Sequence, residues 1–315
     1  YPSVMIGSVL FLFLGLVLLL LGSNLLVTST ERFSSTYSIS GFTASFFMIG
    51  VATSAPEIFI SIESALQNET VLAVGNSIGS NISNIALVFC LSVLFIKHKN
   101  KEMFLPKNMY TGMIVLTLIL FILIFFDYLF DAFDAFILIL AFLAILLFLD
   151  RDGHKIDSYY NESSESFSLL KISLLLITGV FLLIYGSTYF IDGATQIAIL
   201  FGISSYTIGL TLTALGTSLP ELATSIQSAR KDRTDFIIGN IVGSNIFNIA
   251  IAASIAGLIN PAIINKTEFI RDISVLFTIS IFFYMIIKSD KTIIKTLYSS
   301  VLVITYFVYI YFIFR

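Results

Sequence analysis

Two glutamates, Glu57 and Glu221, stand in the middle of long apolar runs, each closing a pentapeptide of the form Thr-Ser-x-Pro-Glu. Thr53, Ser54, Thr217 and Ser218 bring hydroxyl oxygens beside them. Pro56 and Pro220 cannot donate a backbone hydrogen bond and clash with the preceding turn, so each frees a carbonyl, near Ala52 and near Gly216. Such broken helices persist at membrane depth only where protein or a water-filled cavity satisfies the backbone. Further along, Gly-Asn-x-x-Gly-Ser-Asn-x-x-Asn occurs at 75–84 and again at 239–248. It sets Ser80 four residues before Asn84, and Ser244 four before Asn248, on one helix face each. The glycines also have the spacing that lets helices approach closely. Carboxylates, hydroxyls, amide oxygens and freed carbonyls form an all-oxygen set, the kind that hard cations such as Ca2+ take in sixes to eights. Neither motif contains Cys or His, which argues against zinc or copper.

An ionised carboxylate at mid-span costs several kcal/mol unless it is paired or hydrated. No Lys or Arg lies close to either motif within its span. Neutralisation is therefore left to a bound cation or a proton. Two carboxylates match one Ca2+ or a small number of Na+ ions competing for overlapping oxygens. Glu63 has no acidic counterpart in the second copy, where Gln227 stands, and reads as a vestibule or packing residue. Asp127, Asp131 and Asp134 read as helix caps, and His98 and His154 as loop residues.

The elements that hold these groups follow from composition. Of 315 residues 57% are hydrophobic and 12% charged, against about 25% charged in soluble domains. Mean hydropathy is +0.98, so most of the surface faces lipid. A net charge of −3 gives no footing for nucleic acid, and the single Cys90, in an apolar run, excludes an internal disulfide. Tyr306, Tyr309 and Tyr311 are candidates for an interfacial belt in a chain without Trp. Runs long enough to span a bilayer lie near 3–30, 40–67, 71–96, 108–126, 130–149, 168–191, 204–229, 235–259, 268–288 and 292–314. The expectation is an all-α polytopic membrane protein of ten transmembrane helices. Residues 1–149 and 168–315 would form two groups of five, joined by a polar cytoplasmic linker at 150–167. With the N-terminus outside, 14 of the 17 Lys and Arg residues fall on the cytoplasmic side, which selects that orientation and an external C-terminus.

The two groups are copies. At an offset of 164 residues, 18 of the 34 positions from 53 to 86 are identical without a gap, and the matches include Thr, Ser, Pro, Glu, Gly and Asn rather than Leu and Ile alone. The same offset pairs Gly22-Ser23 with Gly186-Ser187. A unit of five spans is odd, so the second copy enters the membrane inverted, an architecture of secondary transporters whose site lies near the midplane between the repeats.

Thr-Ser-x-Pro-Glu followed by Gly-Asn-x-x-Gly-Ser-Asn, present twice, resembles the alpha repeats of the sodium/calcium exchanger family, within the calcium/cation antiporter superfamily. The chain is similar to its prokaryotic members, which lack a large regulatory domain between the halves. The resemblance implies Na+/Ca2+ antiport by alternating access at a plasma or inner membrane, with calcium extruded by the sodium gradient. It implies no resident cofactor and no obligate protein partner, the partners being Na+, Ca2+ and the bilayer. It carries ion contacts to Ser54, Glu57, Ser80, Asn84, Ser218, Glu221, Ser244 and Asn248, with Thr53, Thr217 and backbone oxygens near Gly50 and Ala214 contributing. It also implies that the first and sixth spans move as a pair against the remaining eight. Potassium-dependent relatives carry Asp where Asn248 stands, which speaks against potassium co-transport. Cation/proton members use a different repeat motif, and a cation/proton antiporter is the alternative on this scaffold. A passive channel fits the repeated broken helices poorly. No Ser-His-Asp set, HExxH or phosphate loop within the spans supports an enzyme.

Overall fold

A computed structural model describes residues 2–96, 103–153, 168–201 and 214–313. In chain order its helices are α1 (Pro2–Tyr37), α2 (Gly41–Thr53), α3 (Ala55–Leu66), α4 (Thr70–Phe95), α5 (Lys107–Phe125), α6 (Ala132–Gly153), α7 (Leu169–Leu200), α8 (Ala214–Thr217), α9 (Leu219–Arg230), α10 (Thr234–Ile259), α11 (Lys266–Lys288) and α12 (Thr292–Ile313). Among the described residues seven helices are long and apolar enough to cross a membrane, and eight if α2 and α3, bent by 42° at Ser54, count as one span. This is an α-helical membrane fold. Large apolar side chains such as Phe13, Phe181, Ile304 and Phe307 stay exposed on α1, α7 and α12, as a lipid-facing surface requires.

Two helices outrun their apolar stretches. The sequence places their ends near 30 and 191, but α1 continues to Tyr37 and α7 to Leu200. In the polar continuation of α1, Ser29 and Thr30 turn their hydroxyls back onto the Leu26 carbonyl, which satisfies them within the helix. The α6 helix likewise runs to Gly153, so the segment expected as a linker from 150 begins in helix. The remainder of that segment, His154, His98, Lys97, Lys99, Lys101 and the start of the span expected at 204 lie outside the described residues.

Helices α1 and α7 pack antiparallel along their glycines. A Cβ on Gly22 would lie 2.9 Å from the Gly179 carbonyl oxygen, one on Gly186 2.8 Å from the Leu19 nitrogen, and one on Gly193 2.6 Å from the Ser8 carbonyl oxygen. Only glycine allows backbones this close, and dispersion between them replaces a hydrophobic drive that is absent in lipid. Gly15 touches Gly186 and Gly22 touches Gly179. An offset of 164 converts one contact into the other.

The centre is built from α2, α3, α4, α9 and α10, with α5, α6, α11 and α12 around them. Gly239 and Gly243 admit the backbone of α2: a Cβ on them would come within 2.7 Å of the Phe42 and 2.8 Å of the Phe46 carbonyl oxygens. Gly75 and Gly79 were expected to do the same, yet no described atom lies within 4 Å of a Cβ there. The counterparts of Phe42 and Phe46 at the offset are Tyr206 and Leu210, outside the described residues. Not everything is helical: Leu129–Phe130 pairs antiparallel with Ala262–Ile263, tying two loops together on one side. Asp131 caps α6, accepting from the Phe133 and Asp134 nitrogens. The tyrosine belt is corrected. Tyr306 is buried, whereas Tyr309 is half-buried with its hydroxyl donating to Asp272, and Tyr311 is exposed. Cys90 is buried, as its apolar run implies.

Candidate cation site

Both glutamates sit in the first turn of a helix that restarts after a break. Ser54 (φ −81°, ψ 0°) and Ser218 (φ −86°, ψ 3°) leave helical geometry alike, and α3 and α9 begin one residue later with Pro56 and Pro220 near their first positions. The break costs little there, because a proline nitrogen needs no acceptor at a helix start. Glu57 and Glu221 thereby face the positive ends of two half-helices, which favour a carboxylate.

Neither glutamate has any exposed surface. Their carboxyls are close enough for their charges to interact. Among the described residues no Lys or Arg forms an ion pair with either. The Ser80 hydroxyl donates to Glu57 Oε1 at 3.4 Å, and the Thr217 hydroxyl lies beside the same carboxyl. Thr53 lies beside Glu221 and donates to Asn240 Oδ1 at 3.1 Å. Ser244 stands 3.3 Å from the Thr53 hydroxyl and 3.4 Å from the Gly50 carbonyl oxygen. The candidate residues from both repeats therefore converge. Ala214, the first residue of α8, lies on the segment leading into Thr217.

The chemistry of the place is carried by what stays unpaired. Glu57 Oε2, both Glu221 carboxyl oxygens, the Ser54 and Ser218 hydroxyls, and Oδ1 of Asn84 and of Asn248 are all buried without a hydrogen-bond partner among the described residues. Buried oxygens in such numbers are costly unless something positive meets them. Among the described residues no three His, Cys, Asp or Glu side chains gather as a metal cluster. The set is instead two carboxylates among neutral oxygens, suited to a hard ion that is held and released.

Asn84 and Asn248 each open a π-helical turn, Asn84–Phe89 and Asn248–Ala253, at equivalent positions of the two repeats. Such turns recur at functional sites, and no propensity in the sequence announces them. Three residues absent from the sequence-based set belong here as well. Asn240 donates to Ser225 at 2.9 Å and to Thr224 at 3.3 Å, so it ties α9 to α10. Asn81 and Asn245 bond to Asn248 and Asn84. Their place in the repeated Gly-Asn-x-x-Gly-Ser-Asn motif was the available signal.

The comparisons with known proteins point the same way. The family model described as sodium/calcium exchanger protein matches residues 7–149 and 171–315. The chain is 32% identical over 287 residues to the inner membrane protein YrbG of Escherichia coli, covering 87% of each chain. It is 25% identical to the sodium/calcium exchanger MaX1 of Methanosarcina acetivorans, covering 89% of this chain and 91% of that one. A solved structure of the sodium-calcium exchanger NCX_Mj, soaked with Na+ and without Ca2+, superposes with a TM-score of 0.79 at 30% identity, covering 96% of this chain and 98% of the other. With the family model and all three of these proteins matching most of its length, and a buried oxygen site at the junction of its repeated motifs, the chain belongs to the sodium/calcium exchanger family of membrane antiporters and is not an enzyme.

Proposed function

We propose that the chain exchanges Na+ for Ca2+ across a plasma or inner membrane, extruding Ca2+ with the sodium gradient. The observation that carries this reading is the pair of fully buried glutamates that, among the described residues, have no basic partner and are ringed by unpaired oxygens. Two negative charges balance one Ca2+. Na+ competes for the same oxygens, so loading one ion displaces the other. An unloaded pair of carboxylates resists burial, which ties conformational change to occupancy. The ion contacts are Glu57, Glu221, Ser54, Ser218, Ser80, Ser244, Asn84, Asn248, Thr53 and Thr217, with the backbone oxygens of Gly50 and Ala214. The site needs no resident cofactor and no protein partner.

Ten spans in two inverted repeats, 1–149 and 168–315, joined by a cytoplasmic linker, provide the alternation. The antiparallel course of α1 and α7, whose glycine contacts interchange under the 164-residue offset, supports it. So does the cross-bonding of Asn84 to Asn245 and Asn248 to Asn81. Both termini are outside, and α1 with α7 slide against the rest. The test is calcium uptake by vesicles loaded with sodium. An outward sodium gradient should drive uptake, and dissipating a pH gradient should not change it. Uptake that follows the pH gradient and ignores sodium would replace this reading by cation/proton antiport.

A further inference from the structure

We propose that Asn81 and Asn245 are positioning residues of the cation site, each fixing which atom of the opposite repeat's asparagine amide faces the ion. The inference rests on the proposed function and deepens it. An asparagine amide carries an acceptor oxygen on one side and two donor hydrogens on the other. Only the oxygen attracts a cation. A half-turn of the amide presents N–H groups and repels one. Which atom faces the site is set by the bonds its other atom makes.

Two relays set it, and each starts from an atom that can only accept. In the first, Asn81 Nδ2 donates to the main-chain carbonyl of Asn245 at 3.0 Å. That directs Asn81 Oδ1 the other way, where it accepts from Asn248 Nδ2 at 3.1 Å. Asn248 Oδ1 is then the atom left without a partner. In the second, Asn245 Nδ2 donates to the thioether sulfur of Met113 at 3.8 Å. Its Oδ1 accepts from Asn84 Nδ2 at 3.1 Å, and Asn84 Oδ1 remains unpaired. All four side chains are buried. Shifting numbers by 164 turns the Asn84–Asn245 bond into the Asn248–Asn81 bond, so each repeat orients the ligand amide of the other. The anchors differ. A main-chain carbonyl is a strong acceptor and a thioether a weak one, so the relay to Asn248 is the firmer.

A purely structural asparagine, buried and satisfied, would have the same distances, and a double-mutant cycle separates the two roles. Aspartate at 248 has two equivalent oxygens and no wrong way round. The full-length chain in proteoliposomes would be assayed for the Ca2+ concentration giving half-maximal sodium-driven uptake, in N81L, N248D and the double variant, with monodispersity checked for each. N81L alone should raise that concentration about tenfold, with maximal rate changing less. In the N248D background N81L should change it by less than about twofold, or lower it, because an aspartate oxygen there faces the Asn81 oxygen. An equal factor in both backgrounds, or none in either, would overturn the proposal. If N81L does not fold, the mirror cycle of N245L with N84D carries the same test. Failure of the underlying reading leaves a different mark: N248D and N248L would both leave the calcium dependence unchanged, removing Asn248 from the ion contacts and the proposal with it.

Discussion

The two repeats carry the same motif in different circumstances. In the second, Asn240 is fully engaged: its amide nitrogen donates to Ser225 and Thr224, and its oxygen accepts from Thr53. In the first, the equivalent Asn76 has an unpaired amide nitrogen, and Ser61, the equivalent of Ser225, has an unpaired hydroxyl. Ser80 reaches Glu57, whereas its counterpart Ser244 turns to the Gly50 carbonyl and Thr53. The ends of the broken helices differ too. At the tip of α9, Lys231 pairs with Glu31 of α1 at 2.7 Å and bonds Thr28, and Gln227 bonds Asn24. The offset maps Lys231 to Gln67, Gln227 to Glu63, Thr28 to Asp192 and Glu31 to Thr195. No ion pair can form from Gln67 and Thr195, and the Gln227–Asn24 bond maps to Glu63 and Thr188. Under the alternating access proposed above, two repeats that meet the same ion must be conformationally unequal at any moment. In this chain the contacts of α1 with the tip of α9 have charged partners in one repeat that the other repeat lacks.

The glutamates are where the comparison should come out equal, and where the effect is largest. Glu57→Gln and Glu221→Gln should each reduce sodium-driven calcium uptake by about a hundredfold or more, since even groups one shell away from a metal are worth ten- to a hundredfold. Both variants should remain folded by size-exclusion chromatography. Either one transporting at the normal rate would remove its carboxylate from the site.

The asparagines should come out unequal. Asn240→Ala strips partners from Thr53, Thr224 and Ser225 in the buried centre and should destabilise the chain by about 1–3 kcal/mol. Asn76→Ala, which removes an amide nitrogen that has no partner among the described residues, should cost less than about 1 kcal/mol. Thermal unfolding in detergent measures both. Equal losses would mean that the asymmetry does not persist in solution.

The contact of α1 with the tip of α9 is the smallest lever. Lys231→Met should lower the share of the state that holds it and weaken apparent affinity for external Ca2+ by about two- to fivefold, because a half-exposed ion pair is worth about 1 kcal/mol or less. Raising ionic strength should bring the unmodified chain towards the variant. Introducing Lys at Gln67, opposite Asp192, should shift the balance the other way.

Much of this was legible in the sequence for a physical reason. Thr, Ser, Pro, Glu and Asn are expensive inside a membrane, so their recurrence in register at Thr53–Glu57 and Thr217–Glu221 stands out against Leu and Ile. The helical runs, the break at each proline and the convergence of the glutamates follow from those residues. Other features depend on partners far away in the chain. Nothing local marks Asn81 and Asn245 as the residues that face Asn248 and Asn84, because those bonds cross from one repeat to the other. The π-helical turns at Asn84 and Asn248, and the pairing of Leu129–Phe130 with Ala262–Ile263, arise from packing rather than propensity. Tyr306 reads as interfacial by type and is buried because α12 turns that face inward.

The most direct measurement is anomalous diffraction from crystals of the full chain grown with Sr2+, with and without Na+. One peak should lie between Glu57 and Glu221, a little farther from their oxygens and from neighbouring hydroxyl or amide oxygens than the about 2.3–2.6 Å that the smaller Ca2+ keeps, and it should fade as Na+ is raised. A divalent ion bound elsewhere while this position remains without density, or a peak indifferent to sodium, would contradict the assignment of these two carboxylates as the shared exchange site.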